Sequence, residues 1–154
     1  MKDYVINKNT LALVPLNRRK TIAYEDHDCY IVDQKVSTIM ENNCIYYGST
    51  FDKIQKRTIS LTGYNYKSPI ILEEEKELIL FPTTSPRQRD CTWINLNNID
   101  KIENIDPDNE KCQIDFLNNE SLVIDSSYRV INNQYIKSIL LQNANKKEKI
   151  KNKN

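Results

Sequence analysis

The apolar residues of this chain arrive in short runs broken by polar turns, a spacing that points to a fold built mainly from short strands. Leu11-Ala12-Leu13-Val14-Pro15-Leu16 is one such run, and Pro15 marks a strand end or edge because proline cannot donate to a ladder. Arg18-Arg19-Lys20 follows as a basic turn. Thr21-Ile22-Ala23-Tyr24 and Cys29-Tyr30-Ile31-Val32 flank the acidic Glu25-Asp26-His27-Asp28, the pattern of two strands around a polar turn. Val36 to Met40 and Cys44 to Tyr47, β-branched and aromatic, read as further strands. Lys67 to Leu72 and Leu78 to Pro82 form a hairpin around Glu73-Glu74-Glu75-Lys76. Residues 83–90 read as a loop from their Pro, Ser and Thr content, and the sheet resumes from Cys91 to Leu96 around the only tryptophan, Trp93. Residues 97–110 read as a polar, acidic connection. The clearest hairpin comes last: Cys112, Ile114 and Phe116 alternate with Gln113 and Asp115, and Asn118-Asn119 turns the chain into Leu122-Val123-Ile124.

Two segments carry the helical period instead. Ser49-Thr50-Phe51-Asp52 has the form of a capping box with Asp in place of Glu, and Gly63 stands where a helix ends in the left-handed region. Between them Phe51, Ile54, Thr58 and Leu61 form an inward stripe, and Lys53, Lys56 and Arg57 share the outer face with Asp52 to oppose them. Near the end, Ser126 or Ser127 can cap a second helix in which Tyr128, Ile131, Tyr135 and Ile139 repeat, with Ile136 and Leu140 widening the stripe. Beyond about Gln142 the apolar positions stop, so residues 143–154 read as a disordered lysine- and asparagine-rich tail. The expected fold is a single α+β domain over residues 1–142, mainly short antiparallel strands with a short central helix and a C-terminal helix.

The chain has 154 residues, enough for a sizeable core without disulfide or metal staples. Its two glycines, Gly48 and Gly63, cannot make a dinucleotide-binding or phosphate-loop motif, and its single histidine, His27, excludes catalytic plans needing two imidazoles. The carboxylate clusters at Glu73-Glu74-Glu75 and Glu25-Asp26-Asp28 read as solvated turns, so no catalytic residue is assigned and no enzyme is expected. Cys29, Cys44, Cys91 and Cys112 include no C-x-x-C pair and read as reduced, mostly buried thiols, with a His27-x-Cys29 metal site as the alternative. No metal or cofactor is assigned. No segment reaches the roughly 18 apolar residues of a membrane span, and the start has no continuous apolar run of a secretory signal, which makes the cytoplasm the expected compartment.

The net charge is +1, but Lys146, Lys147, Lys149, Lys151 and Lys153 against Glu148 concentrate the surplus in the tail and leave the body slightly acidic. That balance argues mildly against nucleic acid and leaves local patches to support it. Those patches are Arg18-Arg19-Lys20, the helix face Lys53/Lys56/Arg57, Lys67, and Arg87 with Arg89 in a Pro-bounded loop. A loop bearing two arginines can enter a narrow, electronegative A·T-rich minor groove. No helix-turn-helix, zinc finger or basic zipper is present.

Cys44-Ile45-Tyr46-Tyr47-Gly48-Ser49-Thr50, Tyr66-Lys67-Ser68-Pro69-Ile70, Leu80-Phe81-Pro82-Thr83 and Cys91-Thr92-Trp93-Ile94 occur in this order, followed by Phe116-Leu117-Asn118-Asn119 and Ser127-Tyr128 with Gln134. In these motifs and their spacing the chain resembles the ComK competence transcription factors of low-GC Gram-positive bacteria, from about Tyr4 to Leu141. The resemblance implies a nucleoid-associated activator of DNA-uptake genes that recognises paired A/T-rich boxes in double-stranded DNA through the minor groove. It also implies a homo-oligomer, with RNA polymerase as the further partner of an activator. Some relatives carry a C-terminal docking tag for adaptor-guided Clp proteolysis; the short lysine tail here lacks that character, which argues against this route. Phe51-Asp52-Lys53-Ile54 also follows Gly48 where relatives commonly place Gly-Arg. On clustering and loop context, Arg87 and Arg89 are assigned to groove insertion, and Lys53, Lys56, Arg57 and Lys67 to phosphate contact. Trp93, Phe81, Phe116, Cys44 and Cys91 are assigned to the core. The alternative is a diverged regulator that keeps the fold and acts through a protein partner.

Overall fold

The computed structural model describes residues 1–153 as an α+β fold with all strand pairs antiparallel. A six-stranded sheet is formed by β1 (Thr10–Pro15), β2 (Thr21–Glu25), β3 (Asp28–Val32), β4 (Ile70–Glu73), β5 (Leu78–Pro82) and β6 (Trp93–Asn95), in the order β3-β2-β1-β6-β5-β4. A three-stranded sheet holds β7 (Ile99–Asp106), β8 (Lys111–Phe116) and β9 (Ser121–Ile124) in sequence order. Three helices complete the chain: α1 (Val36–Tyr46), α2 (Phe51–Thr62) and α3 (Tyr128–Asn152).

The central strands of the large sheet are buried on both faces, which is why they read as unbroken apolar runs rather than alternating ones. Leu13, Leu80, Trp93, Ile70 and Leu72 point to a core shared with Ile39, Met40 and Cys44 of α1 and Ile54 of α2. Their sequence neighbours Ala12, Phe81 and Ile94 point the other way, to a second core with Ile99, Ile114, Phe116 and Ile124 of the small sheet and Ile131 of α3. A third cluster, Ile71, Ile79, Leu96 and Leu141, seats the middle of α3. The aromatic and cysteine residues assigned to the core lie there: Trp93, Phe81, Phe116, Cys44 and Cys91 are all buried.

Several local readings hold. Thr50 caps α2, its hydroxyl accepting from the Lys53 amide, one residue later than the Ser49 pattern suggests; Gly63 ends that helix at φ 79°. Ser127 caps α3 by accepting from the Val130 amide. Others are corrected. Val36 to Met40 and Cys44 to Tyr47, read as two strands, belong instead to one helix over Val36–Tyr46 with Tyr47 as its C-cap, because Val36, Ile39, Met40, Asn43 and Cys44 fall at i, i+3, i+4, i+7 and i+8 and are all buried. Asn43 completes that face: its side chain accepts from the Ile6 amide and donates to the carbonyls of Tyr4 and Ile39, which fastens the N-terminal segment. Residues 97–110, read as a connection, contain β7; only Ile99 of that edge strand is buried, so its charged residues conceal it.

The buried side of α3 also differs from the expected stripe. Ile136 and Leu140 are exposed, whereas the polar Gln134, Ser138 and Asn145 are buried. Moreover, α3 continues to Asn152 where a tail without structure was expected. Asn145 accepts from Arg57 at 2.8 Å, Glu148 lies 3.5 Å from Arg57, and Lys149 and Lys146 lie 3.0 and 3.8 Å from Glu74 and Glu77. Charge complementarity with α2 and the β4–β5 turn therefore holds the last turns where apolar burial has ended. No helix among the described residues is long and apolar enough to cross a membrane.

Candidate nucleic-acid interface

Residues 83–92 join β5 to β6 and carry Arg87 and Arg89, both exposed. The neck of this loop is closed: the Thr83 amide donates to the Thr92 carbonyl at 2.9 Å, and the Thr92 amide donates to the Thr83 hydroxyl at 3.2 Å. Within it the Gln88 amide bonds the Ser85 carbonyl, the Cys91 amide bonds the Gln88 carbonyl, and the Cys91 thiol donates to the Thr84 carbonyl. Burial pushes that thiol's pKa up, which keeps it a protonated donor. The tip is thus presented on a pre-organised base rather than a free chain.

The structure groups the loop with cations that are distant in sequence. A cleft of about 240 Å³ is lined by Arg18, Lys35, Arg87 and Arg89, floored by Cys91 and Trp93, and flanked by Val36 and Ser37 at the start of α1. No acidic residue lines it, and none of the four cations is in an ion pair among the described residues. Asn17 shapes the β1–β2 turn that presents Arg18, its side-chain oxygen accepting from the Arg19 and Lys20 amides. Helix α1 begins with no side-chain cap and no acidic residue in its first turn, so its N-terminal end adds positive potential to the same cleft. Glu41 lines the adjoining hollow with Arg87, Phe51 and Trp93.

On the other side of the loop Lys67 lines a second, more open cleft with Tyr66, Thr83, Thr84, Ser85 and Gln88, faced by Glu110 and Asp125. Lys137 of α3 stands nearby, bonding the Tyr66 carbonyl at 3.3 Å over the Tyr64 ring. Its pKa is lowered by partial burial and then by the positive charge of Lys67. Gln134 ties this side to the loop: its amide nitrogen donates to the carbonyls of Lys67 and Pro82, each at 2.7 Å. One buried side chain of α3 thereby sets both where Lys67 stands and where the loop leaves β5.

The sequence-assigned cations divide accordingly. Arg87, Arg89 and Lys67 come together around one loop, whereas Lys53 and Lys56 stand on the exposed face of α2 and line neither cleft. Lys56 is 3.0 Å from Asp52. Arg57, assigned to phosphate, instead spends its guanidinium on Asn145, Glu74 and Glu148, tying α2 to α3 and the β4–β5 turn. Lys35 and Lys137 are cations the sequence reading did not single out, and Arg18 was read only within the separate Arg18-Arg19-Lys20 patch; nothing in the linear order joins any of them to residue 87.

A separate cluster places His27 Nε2 3.3 Å from Asp26 and Nδ1 3.2 Å from Glu120, with Asn118 donating to Asp26. The three side chains offer ligand atoms within 4.8 Å of one another, and with the two carboxylates facing different ring nitrogens the trio clasps the β2–β3 turn to the β8–β9 turn. Cys29 is exposed and lies outside this trio, unlike the His27-x-Cys29 arrangement considered from sequence.

The family model of the ComK protein matches residues 1–149. A curated relative, the competence transcription factor of Bacillus subtilis (strain 168), is 24% identical over 145 residues, covering 92% of this chain and 74% of the relative. No solved structure matches. The family match takes in all nine strands, both clefts and all but the last residues of α3, so the chain belongs to the ComK family.

Proposed function

We propose that this protein is a DNA-binding regulator of transcription that activates competence genes, recognising paired A/T-rich boxes through the minor groove as an oligomer. The observation that carries the reading is the exposed Arg87/Arg89 loop, closed at its neck and bordered by a cationic cleft that no carboxylate lines among the described residues. Arginine side chains are favoured in the narrow minor groove of A-tracts, where the negative potential is enhanced. Lys53, Lys56 and Lys67 contact phosphates in this reading, and Arg57 remains the tie between α2 and α3. Because affinity then comes from phosphate neutralisation and DNA deformability, a few clustered cations suffice on a chain of net charge +1 whose body is slightly acidic. Self-association multiplies these faces at a promoter.

The test is equilibrium binding to a duplex with two A/T-rich boxes and to a G/C-substituted control, across salt concentrations and with a minor-groove-binding competitor. Preference for the A/T duplex, loss of binding with salt, displacement by the competitor and loss of binding in R87E/R89E are expected. Equal or absent binding to both duplexes by folded protein overturns the reading in favour of a regulator that works through a protein partner.

A further inference from the structure

We infer that the 83–92 loop is straddled by two phosphate seats, Arg18 with Lys35 on one side and Lys67 with Lys137 on the other, which grip the two strands bordering the groove the loop enters. The inference rests on the minor-groove reading and adds to it three contact residues and their assignment to separate strands.

The argument is geometric. A minor groove is about 6 Å wide and is walled by the phosphate backbones of both strands. A loop that enters it must meet anions on both flanks, so a loop with cations on one side alone would leave one backbone uncompensated. Here Pro86, Arg87, Gln88 and Arg89 form one wall of the cleft containing Arg18 and Lys35. Ser85 and Gln88 also line the cleft containing Lys67. The loop therefore separates two cationic sites contributed by four different parts of the chain: the β1–β2 turn, the start of α1, the segment before β4, and α3.

The sites differ in a way that suits phosphate. Neither Arg18 nor Lys35 has an ion-pair partner among the described residues, and the open amide end of α1 reinforces their field. Lys137 stands just outside the cleft of Lys67 and feels its positive charge, while Glu110 and Asp125 line that cleft together with Lys67. An anion bridging the lysines offsets that mutual repulsion, and the two carboxylates disfavour it elsewhere in the cleft. Lys137 donates to the Tyr66 carbonyl at 3.3 Å and lies over the Tyr64 ring.

The experiment uses the full chain and the two-box A/T duplex, with R18Q/K35Q, K67Q/K137Q and, for general charge loss, K101Q/K111Q on the small sheet. Each flank variant is expected to flatten the slope of log K against log salt by about 1 to 2, at about 0.9 per lost phosphate contact. The A/T to G/C preference should stay within about 3-fold of the parent, since phosphate contacts carry no sequence. Methylphosphonate substitution on one strand should weaken the parent and K67Q/K137Q but leave R18Q/K35Q little affected, and on the other strand the reverse. Trp93 fluorescence and thermal melts confirm that each variant is folded. If the parent shows groove-specific, salt-dependent binding but the flank variants keep its slope or match K101Q/K111Q, the straddle fails and the function stands. If both flank variants respond to the same strand, the strand assignment fails. If the folded parent binds neither duplex, the function and the straddle fail together.

Discussion

At the scale of single residues, the sharpest determinants are positions where backbone or solvent leaves one choice. Gly63 ends α2 at φ 79°, and a methyl group added there would meet no atom within 4 Å, so substitution tests conformation alone. Gly63→Ala should cost about 1 kcal/mol in chemical denaturation, and Gly63→Asn less. Asp115 accepts from Ser121 at 2.6 Å and Gln113 at 2.8 Å, and these bonds, with Lys101 adding a smaller pull, hold its carboxyl below the ordinary carboxylate range. A depressed folded pKa means that the unfolded chain binds protons first on acidification. The contribution is therefore complete above the unfolded pKa of about 4 and is lost as pH falls through the folded value. Ser121→Ala should raise the Asp115 titration midpoint seen by NMR and shift acid unfolding to higher pH; an unmoved midpoint would reject this cause. The cysteines separate as cleanly: burial pushes Cys44 and Cys112 each to about 11 and also raises Cys91, while Cys29 is exposed. Iodoacetamide should label Cys29 in the native protein and the other three only after unfolding, as read by mass spectrometry.

At the scale of elements, the helices show what local pattern can and cannot convey. The α2 boundaries were legible to within one residue because Thr50 and Gly63 act on backbone groups a few residues away. The buried positions of α1 were equally regular, but its β-branched and aromatic residues imitate strand propensity, and the role of Asn43 depends on Tyr4 and Ile6 arriving beside it. The end of α3 is the strongest case. Its residues past Asn145 have little apolar surface, and their order depends on Arg57, Glu74 and Glu77 from elsewhere in the chain. Arg57→Ala should therefore lower hydrogen-exchange protection over residues 146–152 with under about 1 kcal/mol lost globally, since exposed ion pairs contribute little to overall stability. Unchanged protection there would show that the helix end stands without the tie.

At the scale of the whole molecule, the large sheet couples the parts. β5 sends Leu80 into the core beneath α1 and α2 and Phe81 into the core beneath the small sheet and α3, so neither core can open without disturbing the other. Phe81→Ala should cost about 3–5 kcal/mol while calorimetry still shows a single transition; two resolved transitions would mean that the layers unfold independently. The same strand leads into the arginine loop, so the sheet that carries stability also positions the candidate DNA-binding face. By itself the sequence determined the α+β class, most of the strands, two helix starts, the buried aromatics and the family motifs, because each rests on apolar period, turn chemistry or capping within a few residues. Only the tertiary structure decided that Arg18 and Lys35 stand with Arg87 and Arg89, that Gln134 anchors the loop, and that Arg57 binds α3. Those outcomes depend on which side chains β-strand pairing and helix packing bring together across long separations, and surface charge has no period in the sequence that reveals its partners.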